Sequence, residues 1–109
     1  MRLRFLEKYV HAVPEEPGIF CLWHRAHLVY VGRTAPRTNL RAEVQHALHM
    51  AMADDLSATH FTYEVTTTPK TRAAEELRDY YERWGSLPRY NEARPAYDEG
   101  AVLRADRAA

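Results

Sequence analysis

Apolar positions along the chain switch between the period of two that marks a strand and the period near 3.6 that marks a helix. Residues 18–24 and 27–32 are β-branched and aromatic runs separated by Arg25 and Ala26, which predicts a β-hairpin. In the first run Ile19, Cys21 and Trp23 share one side and Phe20 and Leu22 the other, so both faces of this strand are apolar. Such a strand is central or covered twice, which predicts a sheet with helices packed against it. Residues 60–66 alternate and are rich in β-branched side chains, predicting a third strand.

Between and after the strands the period lengthens. Asn39 is a good N-cap for a helix over residues 39–52, whose buried stripe is Leu40, Val44, Ala47, Leu48 and Ala51. Arg37, Arg41 and Gln45 fall on another face, open to solvent or ligand. Residues 54–57 break this helix. Thr68 and Pro69 start a second one, running to residue 84 with Ala73, Leu77, Tyr80, Tyr81 and Trp84 as its stripe, and Gly85 ends it. Residues 1–12 fit a short helix or strand covering one end of the sheet, and residues 13–18 form a proline-rich lead-in to the hairpin. The expected fold is therefore α/β in the α+β sense: a three-stranded, antiparallel or mixed sheet flanked by helices. Residues 1–91 make a single domain, with its core in 13–91 and a polar, alanine-rich tail over 92–109.

Composition narrows the function classes. A chain of 109 residues, 46% of them hydrophobic, holds one modest core without metals or disulfides. The single cysteine, Cys21, has no internal partner and reads as a small buried hydrophobe. No apolar run is long enough to cross a bilayer, and residues 1–5 lack the features of a secretion signal, so a reducing, cytoplasmic setting without membrane contact is expected. The formal net charge is +0, but residues 1–50 hold seven Lys/Arg against four Asp/Glu and residues 51–109 eight against eleven. Any phosphate-binding surface must then be a local patch, with Arg33, Arg37 and Arg41 as its material and Arg2, Arg4 and some of the histidines as further members.

The tripeptides Gly18-Ile19-Phe20 and Tyr30-Val31-Gly32, followed by Arg33 and Thr34, together with a helix carrying Glu75 and Glu76 and the closing Pro88-Arg89-Tyr90-Asn91, resemble the GIY-YIG nuclease family. The resemblance spans residues 13–91. It implies a GIY-YIG-like fold and a divalent-metal-dependent endonuclease acting on structured or nonspecific DNA. It also implies one Mg²⁺ or Mn²⁺ ion on a helical glutamate, an arginine beside it, hairpin tyrosines that position or deprotonate water, and an asparagine that holds the site together. By position Tyr30 is the second-motif tyrosine, Glu76 the metal ligand and Asn91 the terminal asparagine. Glu76 is preferred over Glu75 because it shares a helix face with Ala73 and Tyr80; the same spacing also allows an ordinary ion pair of the acid with Arg72 or Arg83. The four residues Tyr30, Arg33, Glu76 and Asn91 are expected to converge on one concave surface.

Two positions depart from the family pattern. Phe20 stands where the first tyrosine is expected, and Glu43 where the helix arginine is expected. Arg41 lies two residues earlier, about 160° around the helix, so Arg33 or Arg37 from the preceding loop is the alternative guanidinium. Arg37, His46 and His60 are candidates for contacting substrate, and the two histidines are the available replacements for the lost hydroxyl. These departures favour a second reading, a catalytically impaired relative that binds nucleic acid or a protein partner. A zinc site is weakly indicated, since His46 and His49 are three apart with no partnering motif, and no Gly-rich phosphate loop or Cys-x-x-Cys pair is present.

Overall fold

Gly18–His24 (β2) and His27–Arg33 (β3) form the hairpin, with Arg25 in the left-handed region at φ 56° and Thr59 Oγ1 accepting its N–H at 2.7 Å. The structure, a computed structural model, describes residues 2–53 and 57–93. Pairing shifts between Leu22 and Trp23: Leu22 faces Tyr30 and Trp23 faces Leu28, so Val29 is the extra residue of a bulge. His60–Val65 (β4) pairs antiparallel with the other edge of β2, placing Glu64 opposite Ile19 and Thr62 opposite Cys21.

The sheet has four strands, not three. Leu3–Arg4 (β1) pairs antiparallel with Phe61 and His60, and the order is β1-β4-β2-β3, all antiparallel. Residues 1–12 fit either a short helix or a strand at one end of the sheet, and they form both: two residues are too few to display an alternation that would separate β1 from the helix after it. β2 lies inside the sheet, as its two apolar faces require.

Each face is covered by different helices. Glu7–Val10 (α1) and Leu40–Ala53 (α2) pack on the side of Phe20, Leu22 and Phe61, where Leu40, Val44, Leu48 and Ala51 complete the larger core cluster. Asn39 caps α2 through its side chain, which accepts the Ala42 N–H at 2.9 Å. Pro69–Trp84 (α3) packs on the opposite side, where Ala73 and Leu77 meet Ile19, Cys21 and Val31. Gly85 ends α3 in the left-handed conformation at φ 77°, and its N–H bonds to the Tyr81 carbonyl.

The stripe expected on α3 is only partly buried. Ala73 and Leu77 are sealed and Tyr80 and Tyr81 half-buried, but Trp84 is 58% exposed. α3 has reached the hairpin end by then, and the last turn sets its indole beside His27 and Tyr80. Arg89–Ala93 (α4) follows and packs along β3, carrying Tyr90 and Asn91. The expected tail lies outside the described residues from position 94 onward, as do residues 54–56 of the expected helix break. No helix among the described residues is long and apolar enough to cross a membrane.

Candidate active site

Because residues two apart on a strand share a face, the strand register decides which side chains can meet. Phe20 pairs with Gly32 and Leu22 with Tyr30, so Phe20, Tyr30 and Gly32 belong to the α2 side. Phe20 is buried and its ring lies 6.0 Å from that of Tyr30. It also covers Gly32: a Cβ there would run into the Phe20 ring, which is why the second tripeptide must end in glycine. Gly18 is fixed for a similar reason, since a Cβ would meet the Glu64 carbonyl and the Leu40 side chain. Behind the hairpin Thr34 is buried, and its Oγ1 accepts the Gly18 N–H at 3.1 Å while its N–H bonds to the Gly18 carbonyl.

Asn91 is 1% exposed and works as a one-residue strand. Its Oδ1 accepts the Val31 N–H at 2.9 Å and its Nδ2 donates to the Val31 carbonyl at 2.9 Å, satisfying both outward backbone groups at this position of β3. The closing asparagine thus locks α4 to the hairpin. Tyr90 adds a second tie by accepting the Ser57 N–H at its hydroxyl.

Glu76 stands on the other side of the sheet. It precedes Leu77 and follows Ala73 by one turn, over the surface formed by Ile19, Cys21, Thr62 and Glu64, where a shallow cavity of about 240 Å³ opens. Arg72 organises this surface. Its Nε and Nη2 donate to both oxygens of Glu64 at 2.8 and 3.0 Å, Nη2 also donates to Glu76 Oε1 at 2.7 Å, and Nη1 reaches Glu75 at 3.5 Å. The hydrogen bonds from Arg72 hold the Glu64 carboxyl below its ordinary value, and those to Glu64 and Glu76 push the guanidinium still further up. Beneath them burial pushes the Cys21 thiol up to about 12, and the neighbouring charge of Glu76 pushes the same way. A thiol in that state is a core atom, not a nucleophile.

The remaining expected residues scatter. Arg33 pairs with Ile19 and so takes the α3 side, at the far end of the row Arg33, Ile19, Glu64. Arg37 is exposed in the β3–α2 loop. Arg41 turns away from the sheet: its Nε donates to the Val13 carbonyl at 2.8 Å and Nη1 pairs with Glu15 at 3.1 Å, which clamps the lead-in to α2. His46 is exposed on α2, and His60 at the start of β4 shares a 2.8 Å hydrogen bond with Thr59. The structure brings Tyr30 and Asn91 to β3 and places Arg33 and Glu76 on one face, but it sets Tyr30 and Glu76 on opposite faces.

A hard divalent ion prefers carboxylate oxygen, and Mg²⁺ is often held by one or two carboxylates with water and phosphate filling the shell. Glu76 offers such a carboxylate, with its side chain 34% exposed. Glu64 could be the second only if Arg72, which already bridges the two, gave way. Among the described residues no group of three or more His, Cys, Asp or Glu side chains is arranged as a ready metal cage. The donor chemistry therefore fits one ion on Glu76 alone.

Glu64 escaped the site reading of the sequence, and Arg72 entered it only as the ordinary ion-pair partner, a role it fills at three and four residues before Glu75 and Glu76. Searches against protein-family models, curated proteins and solved structures find no match for this chain.

Proposed function

We propose that this chain is a GIY-YIG-like domain that holds nucleic acid without cutting it efficiently. The observation that carries the reading is the separation of Tyr30 from Glu76 by the thickness of the sheet. A water activated beside the phenol cannot attack a phosphate polarised by an ion on that carboxylate, because both must lie within about 3–3.5 Å of the reacting atoms. Phe20 and Glu43 remove two further groups of the expected site. What remains is Arg33 at the end of β3 and Arg37 in the loop before α2, two guanidinium groups of the kind that meet phosphate oxygens. With a formal net charge of +0, binding by this local patch should be weak and strongly salt-dependent.

One observation favours the endonuclease reading: Glu76 is partly exposed and shares its sheet face with Arg33, so a carboxylate and a guanidinium do lie on one side. There a bound divalent ion would polarise the phosphate and lower the pKa of its water. The experiment compares wild type, Glu76→Ala and the double variant Arg33→Ala, Arg37→Ala on supercoiled plasmid with Mg²⁺ or Mn²⁺, in nicking and mobility-shift assays. The binding reading expects a shift that falls sharply in the double variant, with no metal-dependent nicking. Nicking by wild type that is lost in Glu76→Ala would replace it with the endonuclease reading.

A further inference from the structure

Between α3 and the β2–β4 pair one guanidinium occupies the position an ion would need. Arg72 donates two hydrogen bonds to Glu64 at 2.8 and 3.0 Å, one to Glu76 at 2.7 Å and a longer one to Glu75 at 3.5 Å. Its Nη2 is shared between Glu64 Oε1 and Glu76 Oε1, so it stands where a cation bridging those two carboxylates would stand. Helical spacing alone does not produce this. Glu75 and Glu76 lie three and four residues beyond Arg72 on α3, but Glu64 comes from β4, where the register sets it opposite Ile19 beneath that helix. The Arg72 side chain is 26% exposed, against 34% for Glu76 and 47% for both Glu64 and Glu75. The cation therefore lies deeper than its anions, as a bound ion does.

An incoming divalent ion meets two obstacles. It has to break the charge-assisted bonds that hold Arg72 to Glu64 and Glu76, and it has to sit beside a cation that stays protonated, since those same bonds push the guanidinium still further up. Mg²⁺ also gives up its water reluctantly and asks for near-octahedral oxygen ligands, which carboxylates already engaged by a guanidinium fork do not offer. Space is not the obstacle, because the cavity of about 240 Å³ opens beside both Glu64 and Glu76.

We infer that Arg72 is the built-in cation of this site, filling the place of a divalent ion between Glu64 and Glu76 and keeping such an ion out. This rests on the GIY-YIG-like reading in one respect, that Glu76 is the carboxylate an ion would need. It gives a reason for inefficient cutting that is separate from the distance between Glu76 and Tyr30. The test is Mn²⁺ alone, titrated into the full chain without nucleic acid and followed by the electron paramagnetic resonance of the free ion. Arg72→Ala should bind one ion at least about tenfold more tightly than wild type, because a like charge has gone and two carboxylates are released. Arg72→Gln, neutral and still long, should repeat the gain and replaces alanine if that variant is unfolded by circular dichroism. Arg72→Lys keeps the charge without the fork and should stay near wild type. Adding Glu76→Gln to Arg72→Ala should remove the gain, and adding Glu64→Gln should reduce it. The inference is overturned if wild type binds Mn²⁺ as tightly as the neutral variants, if Arg72→Lys gains as much as they do, or if the gain survives Glu76→Gln. None of these results depends on DNA binding by Arg33 and Arg37, so the two readings fail separately.

Discussion

On its α2 side the sheet carries Phe20, Leu22 and Phe61 against Leu40, Val44 and Leu48, all of them buried. On its α3 side the buried cluster is smaller, and beyond Cys21 the surface passes into the half-wet set of Glu64, Arg72 and Glu76, then into a groove lined by His27, Tyr80 and Trp84. The same strand, β2, builds both, because alternate residues point to opposite faces. The two motif tripeptides belong chiefly to the sealed side: Phe20 packs on Gly32, and Tyr30 on the core. In this chain they are first of all packing devices, and the exposed polar chemistry lies behind them.

This contrast predicts a graded response to substitution. The largest effect is expected from Asn91→Ala, which strips both partners from Val31 in a buried place. At roughly 1–3 kcal/mol for each of the two unsatisfied groups, it should cost about 2–6 kcal/mol in urea unfolding. A loss well under 1 kcal/mol would mean that water replaces the side chain and that α4 is not locked to β3.

Gly32→Ala comes next, at about 1–3 kcal/mol, because the Phe20 ring has to leave its place over the glycine. Pairing it with Phe20→Leu sharpens the point: the smaller side chain should relieve much of the cost of the alanine, giving non-additive free energies. Additive costs would show that the ring and the glycine do not constrain each other.

The smallest effect belongs to the α3 side. Arg72 lowers the Glu64 carboxyl, so its contribution is present above the unfolded value near 4.3 and is lost as pH falls through the lower folded value. The pair is half in solvent, so Glu64→Gln should cost less than about 1 kcal/mol at neutral pH. The gap between wild type and variant should close below about pH 4. A gap that stays constant down to pH 2 would assign it to packing instead of charge.

Much of the fold could be read from periodicity because the periods were long enough to count. The hairpin with Arg25 and Ala26 at its tip, the Asn39 cap, the apolar stripe of α2 and the Gly85 stop all follow from local rules that the structure obeys. β1 was legible only as one of two alternatives for residues 1–12, because a strand two residues long has no period to count. Trp84 misled because a helical stripe continues whether or not a sheet remains beneath it.

The site was harder for a different physical reason. Spacing shows that Glu76 shares a helix face with Ala73 and so turns toward the sheet, but not which face of the sheet α3 will cover. That depends on the path of the chain from β4, a non-local property. Tyr30 and Glu76 could therefore each be placed correctly on an element and still end on opposite sides. Arg41 fails similarly: its helical position leaves it free on paper, and only the fold brings Val13 and Glu15 within its reach.

Asn91 has a consequence beyond its two hydrogen bonds. β3 is an outer strand of the sheet, and an outer strand presents unpaired amide groups on which a strand of another molecule can add. By imitating a strand for the length of one residue, and by bringing α4 down alongside, Asn91 occupies that template from within the same molecule. A buried amide near the end of the described chain thereby guards the protein against joining its own copies edge to edge.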